Sequence, residues 1–103
     1  MDKIAMLTEI LQQNPTDSFA RYGLAMAHAS EGRTEEALGE FARIIEMNPD
    51  YVPAYQMSAQ QLIKAGRTEE ARAHLEAGLA ACGRTGNQHA ASEMQAMLDD
   101  LSY

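Results

Sequence analysis

The 103-residue sequence has one cysteine, Cys82, so no disulfide can form within the chain. No apolar run approaches the roughly 18 residues that a membrane-spanning helix needs. Basic side chains are few, 8 Lys and Arg against 15 Asp and Glu, for a formal net charge of −7. Phosphate backbones and anionic lipid surfaces both call for a basic surplus, which argues against nucleic-acid and membrane partners. The opening residues Met1-Asp2-Lys3-Ile4-Ala5-Met6 are amphipathic, with an early aspartate and without the long apolar stretch of a signal peptide. A cytoplasmic location is expected. What remains is ordinary globular composition, 46% hydrophobic and 22% charged, in a length that suits one domain.

An internal repeat dominates the chain. Gly32-Arg33-Thr34-Glu35-Glu36-Ala37 returns unchanged as Gly66-Arg67-Thr68-Glu69-Glu70-Ala71, 34 residues on, and Asn14-Pro15 returns as Asn48-Pro49 at the same offset. A fixed period of this size means stacked supersecondary units. Each hexapeptide reads as a helix stop at glycine, a tight turn and a helix start. Thr34 and Thr68 are expected to cap the following helices, with the paired glutamates favoured by the dipole of the first turn.

The flanking patterns predict helices over 2–13, 18–31, 34–47, 51–65, 68–82 and 87–101. Pro15 and Pro49 break the pattern, and Asp17 and Asp50 are expected caps. Pro53 falls in a first turn, where proline is tolerated. Gly83-Arg84-Thr85-Gly86 reads as a looser turn. No segment alternates as a half-buried strand does, so the fold class is all-α.

These residues resemble the tetratricopeptide repeat family. The stretch 18–51 supplies Leu24, Ala25, Ala37, Phe41 and Pro49 at that family's positions, departing at Arg21 and His28, where aromatics are expected. The stretch 52–85 supplies Tyr55, Ala59, Leu62, Ala71 and Leu75, departing at Ser58 and Gly83. Residues 1–15 match the second helix of an earlier unit, and 87–101 a first-type helix capping the stack. The resemblance implies a single domain, an α-solenoid of antiparallel helix pairs in a right-handed superhelical arc, with first helices lining a concave surface that holds peptides.

Charge is divided unevenly between the two helix types. The first-type segments 18–31 and 52–65 carry three charges, Arg21, Glu31 and Lys64, whereas the second-type segments 34–47 and 68–82 carry nine. A surface helix ordinarily has one charged face. Segment 18–31 instead has two apolar stripes, one of them Phe19, Tyr22, Met26 and Ala29. The expected partner-binding residues are therefore Phe19, Tyr22, Met26, Gln56, Met57, Gln60, Ile63, Lys64 and, carrying the same 34-residue register into the last helix, Met94. Methionine suits adaptable apolar contact; Gln56 and Gln60 offer hydrogen bonds to an extended backbone, and Lys64 offers a charge to a carboxylate. Packing between first-type helices is the competing role for Met26 and Met57. Family members that clamp a C-terminal carboxylate use Lys, Asn and Arg where this chain has Tyr22, Met26 and Met57, so that ligand is not expected.

Nothing in the sequence assembles an active site. His28, His74, His89 and Cys82 lack metal-ligand spacing, and neither a nucleophile elbow nor a phosphate loop occurs. His28 is expected to be packed and His89 to be solvated. The function expected is a protein–protein interaction module, not an enzyme, with no metal or other cofactor. The alternative is a self-associating homodimer in which Ile4, Leu7, Ile10 and Leu11 leave apolar surface open.

Overall fold

The computed structural model describes residues 2–102. They form α1 (Lys3–Gln13), α2 (Ser18–Ser30), α3 (Thr34–Met47), α4 (Val52–Lys64), α5 (Thr68–Thr85) and α6 (Gln88–Leu101), with no strand among the described residues. The fold is an all-α helical repeat. It divides into two compact units, Met1–Asn48 and Pro49–Tyr103. In the first, α2 packs against both α1 and α3; in the second, α5 packs against both α4 and α6.

The repeated glycines do what the sequence required of them. Gly32 and Gly66 both stand at φ 75°, and Gly86 at φ 71°. In each turn the next amide reaches five residues back: Arg33 N–H donates to His28 O (2.9 Å), Arg67 N–H to Leu62 O (2.8 Å) and Asn87 N–H to Cys82 O (3.0 Å). This left-handed closure satisfies carbonyls that the helix end leaves bare. The two Asn-Pro steps also match, with Asn14 at φ −140°, ψ 79° and Asn48 at φ −144°, ψ 82°. Proline holds the residue before it in extended backbone.

Three caps differ from expectation. Thr34 and Thr68 are the first helical residues, preceded by Arg33 and Arg67 at positions that make no side-chain capping bond. The glycine turn ends one residue too early for threonine to stand outside the helix. Asp17 does cap, accepting from Ala20 N–H at 3.0 Å, as do Asp2 and Asn87 for α1 and α6. Asp50 does not. Its carboxylate accepts from Arg84 Nε at 2.7 Å, and Arg84 Nη2 also donates to Pro49 O at 3.1 Å.

The largest departure is at the end of α5. It runs through Gly83, Arg84 and Thr85, where a turn was expected, because Gly83 occupies the place held by Pro49 in the preceding repeat. Without proline the helix continues until Gly86. Thr85 Oγ1 donates back to Ala81 O at 2.9 Å inside this added turn. The next helix therefore starts two residues late, and its offset from α4 is 36, not 34. At that offset Ala90 matches Ala54 and Ala20, Met94 matches Ser58 and Leu24, and all six are buried.

Equivalent core positions trade volume between the units. Tyr55 stands where the first unit has Arg21, and Gly78 where it has Ile44. A Cβ on Gly78 would lie 2.8 Å from Tyr55 Cβ and 2.6 Å from Met94 Sδ. Gly78 thus gives Tyr55 and Met94 the room that Ile44, fully buried in the first unit, takes for itself.

Candidate functional site

In the first unit, α2 turns Ala20, Leu24 and Ala27 inward and leaves Phe19, Tyr22 and Met26 on the opposite side. Phe19 is 80% exposed, while Tyr22 and Met26 are half-buried. The Tyr22 ring stands edge-on to Phe41, with centroids 5.9 Å apart and planes at 61°. Such an edge contact holds the ring at one border.

In the second unit, α4 buries Val52, Ala54, Tyr55, Ser58, Ala59, Gln61 and Leu62. Gln56, Met57, Gln60 and Ile63 are half-buried, and Lys64 is exposed. At 3.6 residues per turn these five share roughly a third of the helix circumference. Tyr22 and Gln56 are repeat equivalents, as are Met26 and Gln60, so each unit presents the same register of one helix type. Met94 does not belong with them. It is fully buried against Gly78, and the two extra residues before α6 explain why a 34-residue register misplaced it.

The chemistry of the second unit lies inside it. Ser58, fully buried, donates to Tyr55 O at 3.0 Å and shares a 2.7 Å hydrogen bond with His74 Nδ1. No reactant reaches that hydroxyl, so the pair ties α4 to α5 and is not a nucleophile and base. Burial holds the His74 pKa below the usual imidazole value, against a smaller opposing pull from Glu70. Glu70 is itself held down by its hydrogen bonds from Arg67. Burial likewise pushes the Cys82 thiol up, which leaves it unreactive. His28 is half-buried with Nδ1 unpaired, and His89 is exposed. The described residues contain no group of three His, Cys, Asp or Glu side chains placed to hold a metal ion, and no helix long and apolar enough to cross a membrane.

The His74 shift has a consequence in solution. Unfolding raises its pKa back toward about 6.5, so the unfolded chain binds more protons below that value. Stability is complete above the unfolded pKa and falls as pH drops through it. The thermal midpoint is expected to fall between about pH 7 and about pH 5.5, and His74→Asn to flatten that slope. An unchanged slope in the variant would rule His74 out as its source.

Comparison with known proteins settles the family. The tetratricopeptide repeat model matches residues 4–62 and 29–98. The chain belongs to the tetratricopeptide repeat family. It is 32% identical over 90 residues to a tetratricopeptide repeat and J domain-containing co-chaperone, DNJ1, of Cryptococcus neoformans var. grubii, covering 87% of this chain. The chain spans only 11% and 16% of the length of the curated relatives it matches. Among solved structures, a tetratricopeptide repeat domain protein from Salinibacter ruber superposes with a TM-score of 0.80 at 30% identity, over 85% of this chain and 89% of that one. The TPR2B domain of yeast Sti1, in its pHsp70 complex, superposes with a TM-score of 0.88 at 24% identity, over 96% of this chain and 79% of that one.

Proposed function

We propose that this tetratricopeptide repeat chain is a protein–protein interaction module that binds a neutral to apolar peptide or protein segment through its first-type helices. Phe19, Tyr22 and Met26 supply apolar contact from α2. Gln56 and Gln60 supply hydrogen bonds from α4, Met57 and Ile63 flank them, and Lys64 meets a carboxylate. The observation that carries this reading is the division of charge: α2 and α4 keep a nearly uncharged face accessible at equivalent positions, while α3 and α5 take most of the charge. A domain of the same fold, Sti1 TPR2B, is bound to pHsp70 in its own structure.

The test is selection of binders from a random peptide library, followed by amide shift mapping. Shifts are expected on α2 and α4. Tyr22→Glu and Gln60→Glu are each expected to weaken the selected peptide about tenfold, the value of one good contact, with unchanged helical content. Shifts confined to α3 and α5, or undiminished affinity in both variants, would overturn the assignment.

Self-association is a second reading, favoured by Met6 and Ile10, which are exposed one turn apart on α1. Ile10 is the repeat equivalent of the fully buried Ile44. Leu11 is buried and Ile4 and Leu7 pack against it, so the open surface is smaller than the sequence suggested. A monomer mass by light scattering, held to about 0.5 mM, well above a micromolar dissociation constant, removes this reading.

A further inference from the structure

The first and last helices are opposite halves of a hairpin. Among the described residues α1 is of the second type with no first-type helix before it, and α6 is of the first type with no second-type helix after it. What each lacks, a second copy carries. In the complete hairpins the contact is made at fixed places. Arg21 bonds Glu40 Oε1 across the first at 2.6 Å, and Pro15 O at 2.9 Å, with Nε unpaired. In the second, Tyr55 lies against Gly78 and Ser58 bonds His74 Nδ1. About one turn along the same faces stand Ala25 and Ala59 on the first helices and Ala37 and Ala71 on the second, all four with no exposed surface. Methyl groups buried to that degree leave no room for longer side chains.

The end helices depart from that rule. On α1 the equivalent of Ala37 and Ala71 is Lys3, which is exposed. On α6, at the offset of 36 from α4, the equivalent of Ala25 and Ala59 is Gln95, also exposed and donating to Asp99 Oδ1 at 3.1 Å. The surfaces around these two residues still suit a hairpin contact. Met6 and Ile10, at the places of Glu40 and Ile44, are 48% and 41% exposed. An open cleft of about 480 Å³ runs along α6, lined by Leu79, Ala91, Ser92, Gln95, Ala96 and Asp99. Ala91, at the place of Tyr55, leaves room for Ile10, at the place of Gly78, which reverses the trade of volume inside the second unit.

We propose that the α1 and α6 faces are complementary surfaces for a second copy of this chain, held apart by Lys3 and Gln95. Closing α1 of one copy on α6 of the next sets a lysine stem and a glutamine amide where the complete hairpins have two methyl groups. That costs overpacking by several methylenes and the hydration of two polar ends. An ion pair from Lys3 to Asp99 at the rim of the contact returns little of it. The contact is heterologous, so once the two side chains are gone each added copy leaves a free end and growth does not stop at two. The inference does not rest on the segment-binding face, since Tyr22 and Gln60 lie outside both surfaces.

The experiment is light scattering on the full chain in about 0.3 M sodium chloride, which confines charge repulsion between copies to roughly 6 Å. Lys3→Ala with Gln95→Ala in one chain is expected to raise the apparent mass at least about threefold over the parent at about 1 mM. Each single variant is expected to keep the parent's mass, because every contact then still meets one blocking side chain. An equal mixture of the two single variants is expected to reach about twofold and stop there, since Lys3→Ala opens only an α1 face and Gln95→Ala only an α6 face. Adding Ile10→Glu to the double variant is expected to restore the parent's mass, with helical content unchanged in all variants. The proposal is overturned if the double variant scatters like the parent, if Ile10→Glu fails to reverse its growth, or if the mixture does not pair. Association of Lys3→Ala alone also overturns it and assigns a two-fold pairing of α1 with α1. So does parent protein that grows past two copies, since Lys3 and Gln95 then hold nothing apart. Peptide binding at α2 and α4 is read separately, and neither result depends on the other.

Discussion

Glu40→Ala is expected to lower the unfolding free energy by about 2–4 kcal/mol, read from urea melts of the helical signal. The Arg21 side chain is only 9% exposed, and Glu40, at 20%, is its one carboxylate partner, 2.6 Å from Nη1. Removing Glu40 leaves a buried cation with one carbonyl for company. A fully buried pair broken this way costs about 3–5 kcal/mol, and water reaching the glutamate side reduces that here. Replacing both members, as Arg21→Met with Glu40→Met, is expected to recover most of the loss, since neither charge is then stranded. The exposed Arg67–Glu70 pair is the comparison, and Glu70→Ala is expected to leave the melt unchanged. If Glu40→Ala melts at the parent midpoint, Arg21 is solvated in solution and the packing of α2 on α3 described above is wrong.

Gly78→Ala is expected to cost about 2 kcal/mol, against the usual sign of such a change. In an exposed helix interior alanine is better than glycine by about 1 kcal/mol. At Gly78 the added Cβ meets Met94 Sδ at 2.6 Å and Tyr55 Cβ at 2.8 Å. The methionine sulfur can swing aside. The tyrosine Cβ is fixed by its own backbone, so α4 or α5 must shift. Gly39, in α3, has no atom within 4 Å of its would-be Cβ, and Gly39→Ala is expected to gain about 1 kcal/mol. Opposite signs for the two substitutions support the packing of Tyr55 and Met94 around Gly78. Stabilisation by both would mean that α4, α5 and α6 are not packed as they are seen.

The helices and their turns were legible because they obey rules that act over a few residues. Gly32 and Gly66 announced left-handed stops, and Asn14-Pro15 and Asn48-Pro49 announced breaks. The overrun of α5 was legible too. Gly83 was visible as a missing proline, and the absence of a stop implies a longer helix. A 34-residue register does not count the two added residues, and so it puts Met94 on the wrong side of α6. The choice of the α2 and α4 faces rested on the uneven charge, the 34-residue register and the resemblance to the family, which assigns the other stripe to packing. The links from Arg21 to Glu40 and from Ser58 to His74 were not legible, since partners 19 and 16 residues apart leave no local pattern.

The sequence by itself determined the family, the number of helices and nearly all their ends, because hydrogen bonding along a helix and the φ limits of glycine and proline are local. It also determined that α3 and α5 carry most of the charge. Only the tertiary structure decided which equivalent positions are interchangeable. Arg21 with Ile44, and Tyr55 with Gly78, solve one packing problem in two ways, because volume and hydrogen bonding are conserved across a contact and not at a single position. That is why one unit closes around a tyrosine while the other keeps an arginine with a donor still unpaired.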